Sequence, residues 1–186
     1  IIFGLLSFVS YLVEGAVGDW SALYLFEDKG ILIEEAVMGV MLFNGTMCIG
    51  RLLGNRLGKH LTSKQVVVGG YLLGSIAMGL IVFLPGHASM YTYLLLGISL
   101  AMIVPNLFSA MGEQNVIPMT QAVATSTMLG YMGILMGPAL IGFIAHGTSL
   151  TVAFIVLTTL LVVSAGIGKY AYHLMSKDCG LSEEQI

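Results

Sequence analysis

The chain alternates between long apolar stretches and short polar breaks. Six apolar runs can be separated, at 2–26, 36–56, 65–84, 90–112, 120–145 and 150–174. Each run has about the 20 residues that a tilted helix needs to cross a bilayer. Because the breaks are short, successive helices are expected to be antiparallel neighbours. The pattern therefore predicts an all-α membrane protein with six transmembrane helices.

Composition agrees with this prediction and excludes other classes. The chain is 57% hydrophobic and 9% charged, with a mean hydropathy of +0.95, whereas about 25% of the residues in a soluble domain are charged. A net charge of -3 offers no basic surface for nucleic acid. The cysteines and histidines are scattered and no phosphate-binding glycine loop is present, so we expect no metal and no cofactor. The expected surroundings are a lipid bilayer.

Basic residues indicate the orientation. Lys29 alone falls on one side of such a bundle, and the other six lie on the side of both chain ends: Arg51, Arg56, Lys59, Lys64, Lys169 and Lys177. Cytoplasmic loops retain basic residues, so we expect an inner-membrane protein with both ends cytoplasmic. Residues 1–174 would form the six-helix bundle and 175–186 a cytoplasmic tail. Because the chain opens on Ile1 and enters a span directly, we expect it to be a piece of a longer one.

Two carboxylates interrupt the first apolar run. An ionisable group at membrane depth costs at least ~2.5 kcal/mol unless it faces protein or water. Glu14 is therefore expected to face a cavity and carry a proton, or alternatively to bond a neighbouring helix in its protonated form. It shares a helical stripe with four other residues, Ser7, Tyr11, Gly18 and Ser21. Asp19 lies on a flank with Gly15 and Ala22 that favours close helix approach, and it could instead cap backbone or pair with Lys29.

Polar residues are unevenly distributed among the spans. The first, second, fourth and fifth spans carry charged or amide groups, whereas the third and sixth carry almost none. Two sets of three, each with an apolar third member, are typical of two inverted three-helix repeats in transporters. Tyr11, Asn44, Asn106 and Tyr131 are the further candidates for a solute pathway. Interhelical hydrogen bonding and packing are the alternatives for these side chains.

The fifth span combines small residues with a proline. Gly133 and Gly137 form a small-xxx-small pair that permits close helix contact. Pro138 removes a helical hydrogen bond and favours a bend. The pattern indicates either a hinge that moves during a transport cycle or a static kink.

Several of these features together resemble a known family. The six spans, the basic connection after the second span and the sequence from Gly130 to Gly142 look like the second half of a major facilitator superfamily (MFS) transporter. Glu14-Gly15 followed by Asp19-Trp20 is similar to the seventh helix of a bacterial branch, the YbjJ-like proteins. The resemblance implies that the spans are helices seven to twelve. An N-terminal six-helix half would be the missing partner, with a second copy as the alternative.

The resemblance extends to a cytoplasmic loop motif. Asn55, Arg56, Gly58 and Lys59 match it best, although Asn55 stands where the family has an acid. The match implies a basic hairpin rather than a charge relay.

These observations predict a function. We expect a secondary active transporter, not an enzyme, that moves a small solute by alternating access with proton coupling. One alternative is a membrane receptor or assembly protein with the same fold, since fold does not settle function. A less favoured one is an intramembrane hydrolase, for which Ser99 and His173 are the nearest matches. Substrate and direction of transport stay open.

Overall fold

The computed structural model describes residues 1–57, 61–113 and 118–179. These ranges contain seven helices: α1 Ile2–Glu27, α2 Ile33–Leu57, α3 Ser63–Phe83, α4 Gly86–Ala101, α5 Ile103–Glu113, α6 Met119–Gly147 and α7 Leu150–Cys179. With α4 and α5 taken as one span, six helices are long and apolar enough to cross a membrane. The prediction of an all-α membrane protein with six spanning helices is confirmed.

The fourth span is divided in two, which the apolar pattern did not predict. The division falls at Met102, between α4 and α5. Pro105 lies one turn further on and has no N–H, so the carbonyl of Ala101 loses its helical donor there. The Asn106 side-chain amide donates to the Met102 carbonyl oxygen at 2.8 Å. Asn106 thus satisfies a backbone carbonyl at the break.

The ends of two other spans also differ from the pattern. α2 begins at Ile33, before the predicted start at 36, and has Glu34 and Glu35 in its first turn. Carboxylates there interact favourably with the helix dipole, so polar residues that looked like a loop begin the helix. α7 continues to Cys179, so the predicted tail 175–186 starts inside a helix. Residues 180–186 lie outside the described residues.

The helices pack in a pattern with internal symmetry. α1 packs on α6, α2 packs on α4, and α3 packs on α7. In terms of the six spans, the first span packs on the fifth and the fourth span packs on the second. The third and sixth spans pack on each other. An operation that exchanges the two sets of three helices relates these pairs, as expected for inverted three-helix repeats.

Glycines bring α1 and α6 unusually close, and we call this contact the α1–α6 seam. A Cβ at Gly133 would clash with the Phe8 carbonyl, and one at Gly137 with the Leu12 carbonyl. A Cβ at Gly15 would lie 2.6 Å from the carbonyl oxygen of Ile134. Only residues without a side chain permit this approach. Gly133 and Gly137, which were predicted to permit close helix contact, therefore lie in the seam.

The proline of α6 lies in the same seam. Pro138 has no N–H, so the Ile134 carbonyl lacks its helical donor, and this is the carbonyl that faces Gly15. Trp20 of α1 donates its indole N–H to the Pro138 carbonyl oxygen at 2.9 Å. The turn of α6 that contains Pro138 is thus bonded to α1.

The side of the bundle where α1 ends, the far side, is tied together by polar contacts. The Lys29 ammonium donates to the Val82 carbonyl oxygen at 2.6 Å, in the last turn of α3, and lies 5.3 Å from the centre of the Tyr24 ring. Partial burial lowers the pKa of Lys29, and the Asp28 carboxylate beside it opposes that shift. Asp28 accepts a hydrogen bond from Thr151 of α7 at 3.0 Å. The α1–α2 connection therefore fastens α3 and α7.

α2 and α6 leave one side uncovered. Only 28% and 22% of the residues in their most apolar stretches are buried, against 56% in the fourth span. We call these exposed stripes of α2 and α6 the open face; its members are Met41, Asn44, Cys48, Leu52, Met128, Tyr131, Leu135 and Phe143. α1 lies between the two helices, since it contacts both.

Candidate functional site

An ion pair joins α1 to α2 inside the spanning region. Nη2 of Arg51 lies 3.1 Å from Oε1 and 3.3 Å from Oε2 of Glu14. The Glu14 side chain is 12% exposed and that of Arg51 is 44% exposed. The carboxylate is therefore the more buried partner, and the guanidinium is the more exposed one.

The pair lies near the middle of the membrane-spanning region. Glu14 is at the middle of α1, so a rise of 1.5 Å per residue puts it roughly 18 Å from either end of the helix. An unpaired charge at that depth is strongly disfavoured. Arg51 is thus the charge that compensates Glu14.

Two phenols complete the site. Tyr11, one turn before Glu14 on α1, interacts electrostatically with Glu14, Arg51 and Tyr131. Its ring packs on α6, where a Cβ at Gly130 would lie 2.5 Å from Cδ2. Tyr131 itself is 66% exposed. Tyr11, Glu14, Arg51 and Tyr131 together form what we call the Glu14–Arg51 cluster, built from α1, α2 and α6.

Three other predicted site residues lie outside this cluster. The Asn44 amide donates to the Val40 carbonyl at 3.0 Å within α2, and Asn106 donates within its own helix. Asp19 is exposed and has no hydrogen-bond partner among the described residues. Among the described residues no ion pair joins Asp19 to Lys29, whose ammonium donates to the Val82 carbonyl oxygen.

The polar stripe of α1 is shorter than predicted. Ser7 and Ser21 are fully buried, and Ser7 donates to the Phe3 carbonyl at 3.1 Å. The accessible part of the stripe runs from Tyr11 to Gly18.

Sequence reasoning missed two residues of this region. Arg51 was assigned to a basic connection, although the antiparallel hairpin of α1 and α2 brings it opposite Glu14. Tyr71 of α3 is buried and donates to the Leu6 carbonyl at 2.7 Å. Its single proton is used there, so the Ser10 hydroxyl donates to Tyr71 at 2.8 Å. A lone tyrosine in an otherwise apolar span was the available signal.

The remaining predicted residues have separate places. Asn55 and Arg56 belong to the last turn of α2, where their side chains are not described, and Gly58 and Lys59 lie outside the described residues. The loop motif stays a prediction. Ser99, the nucleophile of the hydrolase alternative, is buried and donates to the Leu96 carbonyl at 2.7 Å.

Sequence comparison relates the chain to known proteins. No family model matches it. It is 42% identical over 165 residues to an uncharacterised MFS-type transporter of Yersinia pestis, covering 87% of this chain and 42% of that protein. It is 29% identical to the membrane protein MosC of Rhizobium meliloti, with 90% and 42% covered. An uncharacterised transporter of Sinorhizobium fredii is 28% identical, with 82% and 41% covered.

The chain thus spans less than half the length of the curated relatives it matches. Its six spanning helices are the number expected for half of a twelve-helix protein. On this sequence similarity and this architecture, the chain belongs to the major facilitator superfamily.

Proposed function

We propose that the chain is the C-terminal half of a secondary active transporter, which moves a small solute across the inner membrane by alternating access coupled to protons. Relatives named as transporters support the general activity. The observation that carries the proposal is the Glu14–Arg51 pair in the middle of the membrane-spanning region. Intramembrane ion pairs are costly and typically line ion or substrate pathways.

The two contacts of α1 fit such a cycle. The α1–α6 seam is made of backbone-to-backbone contacts at glycines, which resist sliding. α1 meets α2 at the Glu14–Arg51 pair, whose strength depends on the charge of Glu14. When Glu14 takes up a proton, the attraction to Arg51 is lost, and the two helices are free to rearrange. A carrier can use such an exchange to link proton binding to rocking of its halves.

The open face supports a partner for this half. Its large apolar side chains are exposed on both sides of α1, and the relatives are more than twice as long as this chain. We propose that an N-terminal six-helix half covers the part of the face nearest the Glu14–Arg51 cluster, and that lipid covers the rest. In detergent, the full-length protein is expected to have the mass of a single chain. A protein that instead consists of two six-helix chains would assign the face to a second copy.

The proposed orientation has both ends in the cytoplasm. Arg51 lies within the spanning part of α2. Five other basic residues lie on the side where α1 begins, against Lys29 alone on the far side, and cytoplasmic loops retain basic residues. A cysteine replacing the exposed His87 should react with a membrane-impermeant thiol reagent in intact cells. A cysteine at Leu61 should react only after lysis, and the reverse result contradicts the orientation.

Transport can be tested without knowing the solute. Full-length protein in liposomes is given an extract of bacterial small metabolites and an inward proton gradient, and accumulated solutes are identified by mass spectrometry. We expect at least one solute to accumulate above protein-free liposomes. Glu14→Gln should reduce that accumulation by at least about tenfold, whereas Glu27→Gln, at the exposed end of the same helix, should not. Undiminished accumulation with Glu14→Gln contradicts proton coupling through this residue.

A further inference from the structure

The donors of Arg51 are only partly used. A guanidinium has five N–H donors in a planar fork suited to gripping a carboxylate with two parallel bonds. Here Nη2 alone contacts Glu14, reaching both carboxylate oxygens. Among the described residues, Arg51 has no other hydrogen-bond partner. The Nε–H and the two N–H groups of Nη1 are therefore available to a second acceptor.

The geometry also decides which partner an incoming solute meets. The Glu14 side chain is only 12% exposed, whereas the Arg51 side chain is 44% exposed. A solute approaching from the open face therefore reaches the cation first. Tyr131, 66% exposed on α6, supplies a phenol beside the same approach. Accessible groups of this kind recognise an anion, whereas a cationic solute would be repelled.

Charge balance points to the same solute class. With Glu14 ionised and Arg51 charged, the empty site has a net charge of zero. If Glu14 is protonated and an anion binds Arg51, the loaded site is again neutral. Either event alone leaves a net charge, which is disfavoured at membrane depth. A neutral or cationic solute bound together with a proton would leave the site positive.

Other charged groups do not change this balance. The titratable groups that interact electrostatically with Glu14 are Arg51 from α2, Tyr71 from α3 and Tyr11 from α1, with Tyr131 from α6 next to Tyr11. The tyrosines are neutral phenols at physiological pH. Asp19 lies roughly 7.5 Å further along α1 and is not among the groups that act on Glu14.

We propose that the solute is an organic anion carrying a carboxylate, held by the free N–H donors of Arg51 while its proton travels on Glu14. This inference rests on the proposed function and deepens it. One proton and one monoanion cross together, so no net charge moves. Arg51 is the substrate-binding residue, and Glu14 alternates between neutralising Arg51 and carrying the proton.

The test uses full-length protein in liposomes and three probes, the acidic, neutral and basic fractions of a bacterial small-metabolite extract separated by ion exchange. Under an inward proton gradient, only members of the acidic fraction should accumulate, at least about tenfold above protein-free liposomes. A potassium–valinomycin potential without a proton gradient should drive no accumulation, since the loaded and empty sites are both neutral.

Variants separate binding from coupling. Arg51→Gln should abolish uptake of the acid, and Arg51→Lys should lower it by about tenfold, because an ammonium keeps the charge but lacks the planar fork. Glu14→Gln should lose uptake driven by protons yet still exchange labelled acid between equal pools. Cys48→Ser, exposed one turn before Arg51 on α2, is the matched control and should behave as wild type.

Each outcome assigns the failure. Accumulation of a neutral or cationic solute, with Arg51→Gln still active, overturns the anion proposal and leaves transport standing. Accumulation of an acid driven by voltage alone overturns the coupling of one proton to one monoanion. If no fraction accumulates, the proposed transport function fails and this inference fails with it. Should Arg51→Gln not fold, as judged by gel filtration, the Arg51→Lys comparison decides.

Discussion

α6 has two faces that contrast sharply. The face toward α1 is lined by Gly130, Gly133 and Gly137, each against atoms of α1 that leave no room for a Cβ. The opposite face carries large apolar side chains that are mostly exposed, such as Leu135 at 75% and Phe143 at 81%. The first face is covered by α1, whereas the second is exposed in this chain. A single helix thus joins a rigid seam to an open face.

The same contrast applies to α1. Gly15 faces the seam, while Glu14 and Gly18 face the side between α2 and α6. Rigidity and chemistry are one residue apart on a helix because neighbouring positions are rotated by about 100°. The comparison therefore predicts that substitutions in the seam affect stability, and that substitutions toward the open face affect transport.

The largest effect is expected from Gly133→Val. The new side chain would overlap the Phe8 carbonyl and nearby backbone of α1, and backbone cannot move aside as a flexible side chain can. Overpacking of this kind costs about 3 kcal/mol, measured as the free energy of unfolding of the full-length protein in mixed micelles. Gly166→Val on α7, where a Cβ meets nothing within 4 Å, is the control. Equal stability of the two variants would contradict the close packing of α1 and α6 at Gly133.

Gly15→Ala and Gly18→Ala form a sharper pair on one helix. A Cβ at Gly15 lies 2.6 Å from the Ile134 carbonyl oxygen, whereas one at Gly18 has open space within 4 Å. We expect Gly15→Ala to destabilise by about 2 kcal/mol. Gly18→Ala should be neutral or slightly stabilising, since alanine favours helix. A thermal melt of both proteins by intrinsic fluorescence checks this, and the opposite order contradicts the assigned faces of α1.

A smaller effect is expected from Trp20→Phe. The ring that packs on Gly142 is largely kept, but the hydrogen bond to the Pro138 carbonyl oxygen is lost. A net cost of about 1 kcal/mol is typical of such a bond. Tyr131→Phe on the open face is the control, with a change below about 0.5 kcal/mol. If the tryptophan variant unfolds at the wild-type denaturant midpoint, the indole bond does not stabilise the contact between α1 and α6.

Much of the fold could be predicted from periodicity alone. The apolar runs predicted the six spanning segments, and the small-residue pattern around Gly133 identified a packing face. Both features are local, because a helix repeats every 3.6 residues whatever its partner. The break at Met102 was missed because the run of apolar residues continues through it, and Pro105 was the only warning.

The candidate site was harder to predict because its members come from different helices. Glu14 was found through the cost of burying a carboxylate. Its partner Arg51 was counted among the basic residues on the side of the chain ends and was not paired with Glu14, although Gly39 of α2 faces Leu25 of α1. In an antiparallel hairpin this register continues to bring Arg51 opposite Glu14. The bond from Trp20 to Pro138 joins residues 118 positions apart, and local periodicity contains no information on such a pairing.

The central claim is that water, not lipid, lies beside Glu14. It can be tested by placing single cysteines in an otherwise cysteine-free full-length protein in membranes. Gly18→Cys lies on the accessible stripe of α1, and Ile76→Cys lies on an apolar stripe of α3 where the native side chain is 57% exposed. A hydrophilic methanethiosulfonate reagent reacts with thiolate in water and not in hydrocarbon. We predict that position 18 reacts at least about tenfold faster than position 76, since hydrocarbon opposes ionisation of a thiol. Equal or reversed rates would contradict the hydrated site and the carrier mechanism built on it.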